Sequence, residues 1–258
     1  MMIKTIINRL KHTIYRRKNK IETEKLILSL LISAEILLAI PLITANIPAI
    51  QAFKTNSPEL ILPISFLIQW VAIFVPYLLI KKGFKNIKKE SFCIKKQRVS
   101  DTLKDIGKGF YIFVGISILA ALITIYGGVE IPGYQVQEKI LAEFGTSLQS
   151  LIVAGVIMVI LAPVLEEILF RGIILKKFAN QFGNRWGSAL AATLFAAAHM
   201  QFKNIIPLIV IGLILNHMTL RRKSITSSVI FHIINNGIAF TIELLILSGK
   251  IDIEKIIS

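Results

Sequence analysis

Long apolar runs separated by short polar segments dominate the chain from Leu26 onward. Runs near 26–47, 60–80, 109–127, 148–170, 187–202, 205–220 and 226–247 each approach the roughly 20 residues of helix that cross a hydrocarbon core. The pattern predicts an all-α polytopic membrane protein of about seven spans, six to eight if the short fifth and sixth are counted differently. Ahead of the first run lie residues 1–25, polar and basic. There Ile3, Ile6, Ile7, Leu10 and Ile14 recur at helical spacing among Lys and Arg. That is the pattern of an amphipathic helix on the inner leaflet, although a solvated tail fits equally well. A signal peptide would put its apolar core directly after a few basic residues, so 26–47 is expected to remain as the first span.

Composition and charge sharpen this picture. Of the 258 residues 54% are hydrophobic, and the mean hydropathy is +0.70. The net charge of +15 is not spread evenly. Eight Lys/Arg fall in 1–25, ten in 81–108, four in 171–186 and three in 221–223, so alternate segments hold 25 of the 30. The positive-inside rule then puts the N-terminus and these segments in the cytoplasm, and the C-terminus outside for seven spans. Charge encodes the topology of a multi-pass protein of a cell membrane, with the lipid bilayer as its first partner. The basic residues show neither aromatic interleaving nor a nucleic-acid-reading motif, which argues against nucleic acid. Heavy Ile and Lys usage fits an AT-rich bacterial genome. The single cysteine, Cys93, excludes an intramolecular disulfide.

No internal repeat stands out. The organisation expected is a basic N-terminal segment at 1–25, scaffold spans and connectors at 26–147, a functional core at 148–247 and a short tail at 248–258. The core is singled out by its ionisable residues. Residues 144–165 contain no Lys, Arg, Asp or Glu, yet Glu166 and Glu167 follow at once and Arg171 four residues later. An ionised side chain near a bilayer centre costs roughly 2.5–3.5 kcal/mol even on the lenient insertion scale, and such residues usually face a protein or water-filled interior.

Three motifs carry candidate chemistry. In the first, neighbouring helix residues point about 100° apart, so Glu166 and Glu167 diverge. Glu167 and Arg171 are i,i+4 neighbours able to pair, which leaves Glu166 for acid–base work. The alternative is a structural ion pair beside a neutral glutamate. The second is Phe195-Ala196-Ala197-Ala198-His199, where the alanines allow a close helix approach and His199 is either a core histidine or a catalyst. The third is His232-Ile233-Ile234-Asn235-Asn236. His232 and Asn236 share a face and either ligate a metal, donate hydrogen bonds to an oxyanion or clamp two helices. Asn235, turned away, is expected to pack or cap. Glu243 is expected near the outer boundary.

Residues 162–172 (APVLEEILFRG) closely resemble motif 1 of the CAAX-protease and bacteriocin-processing (CPBP, or Abi) intramembrane peptidases. Phe195 to His199 is similar to the second motif of that family and His232 to Asn236 to its last, with Gly212 where a less specific third motif has a small residue. The resemblance covers about 150–240. It implies an all-helical membrane fold and endoproteolysis within the membrane, with Glu166 and His199 activating water. It also implies that His232 and Asn236 stabilise the oxyanion while Glu167 and Arg171 support the site. A Zn2+ held by Glu166, His199, His232 and Asn236 and a metal-independent mechanism both stay open, and the compact His-Glu-x-x-His zinc motif is absent. Asp101, Asp105 and Asp252 lie outside the expected spans and no Gly-x-Ser-Gly occurs, which disfavours aspartyl and serine chemistry.

The expected function is therefore an intramembrane endopeptidase acting on a peptide or a lipidated or membrane-associated protein. Its substrate is expected to enter between helices, and its water from the basic face. The alternatives are a non-proteolytic bacteriocin self-immunity or scaffolding protein and, behind these, a proton-coupled transporter.

Overall fold

The computed structural model describes residues 2–81, 93–128, 131–133, 141 and 146–250, and no strand occurs among the described residues. The helices are α1 (Met2–Thr44), α2 (Pro48–Asn56), α3 (Pro58–Lys81), α4 (Val99–Gly127), α5 (Leu148–Ala198), α6 (Ile205–Arg222) and α7 (Thr226–Leu247). All but the short α2 are long and apolar enough to cross a membrane. The basic N-terminal segment is the start of α1 rather than a separate element. The side chains of Ile3, Ile6, Ile7 and Leu10, on which an amphipathic face would depend, lie outside the described residues.

α5 is not a single crossing. Its 51 residues would reach about 76 Å at 1.5 Å per residue, more than twice a hydrocarbon core of about 30 Å. The reversal comes at Gly183, with φ 81° and ψ 163°, a conformation that side chains with a Cβ disfavour. The second limb returns along the first, so that the rings of Phe170 and Phe195 meet edge to face at 5.2 Å. The neck is tight: a Cβ on Gly187 would stand 2.5 Å from the backbone N of Ala179. The spans expected at 148–170 and 187–202 are these two limbs, and the seven expected crossings resolve into six helical runs with one of them doubled. The span expected at 109–127 begins earlier, at Val99.

Two apolar clusters fix the bundle. Leu26 of α1 and Trp70 and Tyr77 of α3 pack with Leu169, Phe170, Ile173 and Phe178 of α5. Ile106 of α4 packs with Ile211, Leu215 and Met218 of α6 and Phe231 of α7. Small residues set the closest approach, since a Cβ on Gly212 would meet the Ala192 Cβ at 3.0 Å.

Polar contacts tie the helix ends into two layers. At the basic end, Asp105 accepts from Arg222 Nε at 2.6 Å and from Ser227 Oγ at 3.2 Å. Nearby, Lys95 N donates to Thr226 Oγ1 at 3.0 Å, and Lys177 Nζ lies 3.6 Å from Glu22. At the opposite end, Ile206 N donates to the Gly133 carbonyl at 3.0 Å and Leu141 N to Glu243 Oε1 at 2.6 Å.

Candidate active site

The three motifs meet at the centre of the bundle, and the first splits as helical phasing predicts. Glu167 points inward. Its Oε1 accepts from Arg171 Nη1 at 2.8 Å and from His232 Nδ1 at 2.9 Å, and both Glu167 and Arg171 are fully buried. Removing one partner of a buried pair strands the other charge, at a cost of about 3–5 kcal/mol, so this layer holds three helices to a common register. Two further contacts complete it: Arg171 Nε donates to Asn216 Oδ1 at 3.2 Å and Nη2 to the Gly212 carbonyl at 3.4 Å. Asn216 in turn donates to the Ser188 carbonyl at 2.9 Å.

Asn216 was not among the residues singled out from sequence. Its signal was available, as a lone carboxamide directly after the apolar 205–215 run and next to His217.

Phe195 is the plate between the layers. Its ring face receives the Arg171 guanidinium at 4.2 Å, and the imidazoles of His199 and His232 approach it at 4.6 and 5.8 Å between centroids. These are favourable geometries for an aromatic quadrupole.

Above this plate sits Glu166. Its Oε2 lies 3.8 Å from Nε2 of His199 and 3.8 Å from Nε2 of His232. Both distances exceed a hydrogen bond, and the oxygen is buried with no hydrogen-bond partner. The other ring nitrogens are committed. His199 Nδ1 lies 2.8 Å from the Phe195 carbonyl, which can only accept, and His232 Nδ1 faces the Glu167 carboxylate. Each imidazole thus turns Nε2 towards the same carboxylate oxygen.

Asn236 lines the same cavity, with its Nδ2 donating to the Met158 carbonyl at 3.0 Å. That carbonyl is free for a local reason. Val156–Leu161 forms a π-helical turn in which Ala162 N bonds to the Ile157 carbonyl five residues back. The next donor in that register would be residue 163, a proline without an N–H. π-turns cluster at functional sites, and here one supplies the anchor for an amide on another helix. Glu167–Leu175 is π-helical too.

The cavity occupies about 420 Å³, within the usual range for small-ligand sites. It is lined by Glu166, Phe195, His199, His232 and Asn236, and farther along by Gln201, Asn204 and Glu243. Asn235, expected to pack or cap, also lines it, because the face of α7 that borders the cavity is wider than one row of residues. Glu243 lies on this wall, where its carboxylate receives the Leu141 N–H.

Water entry from the basic face is not what the packing allows. The layer on that side is the sealed Glu167–Arg171–Asn216 stratum, whereas Glu166 and His199 keep side-chain exposures of 19% and 25%.

Among the described residues no group of three or more His, Cys, Asp or Glu side chains is placed to hold a metal. The arrangement does suit hydrolysis, with a carboxylate base, imidazoles at its edge and an amide beside them.

Residues 148–238 match the family described as Type II CAAX prenyl endopeptidase Rce1-like, which is the CPBP, or Abi, family. The chain is also 29% identical over 132 residues to an Escherichia coli protein described as "Uncharacterized 24.3 kDa protein", covering 49% of this chain and 57% of that one. It therefore spans little more than half the length of this relative. No solved structure matches.

Proposed function

We infer that the protein is an intramembrane endopeptidase in which Glu166 activates water for attack on a peptide bond. The observation that carries this reading is the Glu166 carboxylate: one oxygen buried without a hydrogen-bond partner and 3.8 Å from two imidazole nitrogens. A water seated between the three groups is within hydrogen-bond reach of each.

Glu166, assisted by His199, takes a proton from that water while its oxygen adds to the substrate carbonyl. The negative charge that forms on the carbonyl oxygen lies against Nε2 of His232, whose opposite ring nitrogen the Glu167 carboxylate holds. It also meets the second amide N–H of Asn236. Preorganised donors of this kind are commonly worth about 3–4 kcal/mol in the transition state. Collapse of the intermediate breaks the C–N bond, and the proton held by Glu166 passes to the leaving amine. Arg171 supports the reaction only by fixing Glu167. Every step uses side chains of this chain.

The substrate class consistent with the cavity is a peptide or a lipidated or membrane-associated protein. Cleavage of candidate peptides in detergent by the wild type and by Glu166→Ala, His199→Ala and His232→Ala tests the roles. A loss of at least a hundredfold in each variant is expected, and equal activity in all four proteins would end the proposal.

A further inference from the structure

We propose that the reaction chamber opens on the extracytoplasmic side of the membrane, so that its substrate is a peptide segment presented there rather than a cytosolic chain. The identification of the occupant as a substrate rests on the peptidase reading above; the direction of opening does not.

The lining residues run one way from the reacting groups. On α7 they climb from His232 to Glu243, on α6 from Ile211 back to Asn204, and on the first limb of α5 from Glu166 back to Met158. All three directions lead to the end of the bundle that carries the 201–204 turn and the Gly133 contact with Ile206. In the other direction the chamber has a floor. Glu167, Arg171, Asn216, Thr219, Ser228 and Phe231 are each 1% exposed or less. Beyond that floor the Asp105–Arg222–Ser227 contacts close the bundle again.

Charge identifies the two ends. Among the described residues, Lys95, Lys177, Arg221 and Arg222 lie at the floor side, whereas Lys203 and Lys250 belong to the segments on the mouth side. In short loops such an asymmetry places the basic end in the cytoplasm. The mouth therefore faces the other compartment.

The chemistry of the mouth narrows what enters. Gln201, Asn204 and Glu243 offer carboxamide and carboxylate groups, while Leu208, Ile238 and Ile242 make the remaining wall apolar. This mixture suits an extended peptide, with polar groups for its backbone and apolar wall for its side chains. From His232 to Glu243 is about 16 Å along the helix, or roughly five residues of extended chain. A dipeptide would not reach from the reacting groups to the rim, whereas a segment of five residues or more on one side of the scissile bond would.

The experiment is cysteine accessibility with a charged, membrane-impermeant maleimide, in a Cys93→Ser background. Asn204→Cys and Ala239→Cys report the chamber. The exposed positions Lys203→Cys and Lys96→Cys report the two ends of the bundle. Asn204→Cys, Ala239→Cys and Lys203→Cys are expected to label at least tenfold faster in intact cells than in inverted membrane vesicles, and Lys96→Cys the reverse. Faster labelling of the two chamber cysteines in inverted vesicles would overturn the proposal, as would labelling of Lys203→Cys from that side only. The labelling needs no catalysis. Chamber cysteines that label from outside in a protein whose Glu166→Ala variant still cleaves would sink the catalytic roles and leave the access route standing.

Discussion

The Nδ1 of His232 lies 2.9 Å from Oε1 of Glu167, although 65 residues separate them in the chain. This contact joins α7 to the first limb of α5 and divides the work of two adjacent glutamates. Glu167 holds an imidazole and a guanidinium in a closed layer, and Glu166, one residue earlier, lines the chamber with its Oε2 3.8 Å from Nε2 of both His199 and His232.

That division predicts different outcomes for the two positions. Glu167→Gln leaves the Arg171 charge buried without its carboxylate, at a cost of about 3–5 kcal/mol. Thermal unfolding in detergent should shift down by many degrees. Glu167→Gln combined with Arg171→Met removes both charges and should recover much of the loss. A double variant less stable than Glu167→Gln alone would show that the pair is not the stabilising unit.

Asn216→Ala should act through position rather than contact with substrate. It removes an acceptor from Arg171 and a donor from the Ser188 carbonyl, a loss of about 1–3 kcal/mol for buried polar groups left unpaired. A lower unfolding temperature with substrate KM nearly unchanged is the expected pattern. A large rise in KM at unaltered stability would place Asn216 in the chamber instead.

The proline in the first motif yields a sharper test. Pro163→Ala restores an N–H where the π-turn leaves the Met158 carbonyl open, so the backbone competes with Asn236 for that acceptor. Unfolding temperature should hold or rise while kcat falls several-fold. Full activity with raised stability would mean that the Met158–Asn236 bond does not matter to the reaction.

The proposed mechanism routes every step through side chains, so treatment with EDTA or o-phenanthroline should leave peptide cleavage within about twofold of the untreated enzyme. Loss of activity on chelation, with recovery on adding zinc, would reverse this.

Much of the site could be read from the chain because its residues break strong local rules. Glu166, Glu167 and Arg171 sit in apolar surroundings where charge is costly, and helical phasing alone separated the two carboxylates. The spacing of His232 and Asn236 likewise placed both on one wall. What could not be read depends on contacts distant in sequence. The doubling of α5 rests on one glycine among 15, in a polar stretch that reads as an ordinary loop. The inclusion of Asn235 and the closure of the basic face depend on how α6 and α7 are rotated against α5, which no single helix encodes. The π-turns escape a reading based on 3.6-residue periodicity, and they explain why a proline is tolerated three residues before Glu166.

The reversal at Gly183 also sets a length standard for catalysis. Arg171 and Phe195 are in contact across the fold at 12 residues on either side of it, and His199 reaches Glu166 only by that count. One residue added between the limbs would swing His199 by about 100° and shift it about 1.5 Å along its axis, while leaving every apolar run long enough to cross the bilayer. A chain altered in this way would insert normally but hold Glu166 and His199 out of register, so the hinge tolerates changes of composition far better than changes of count.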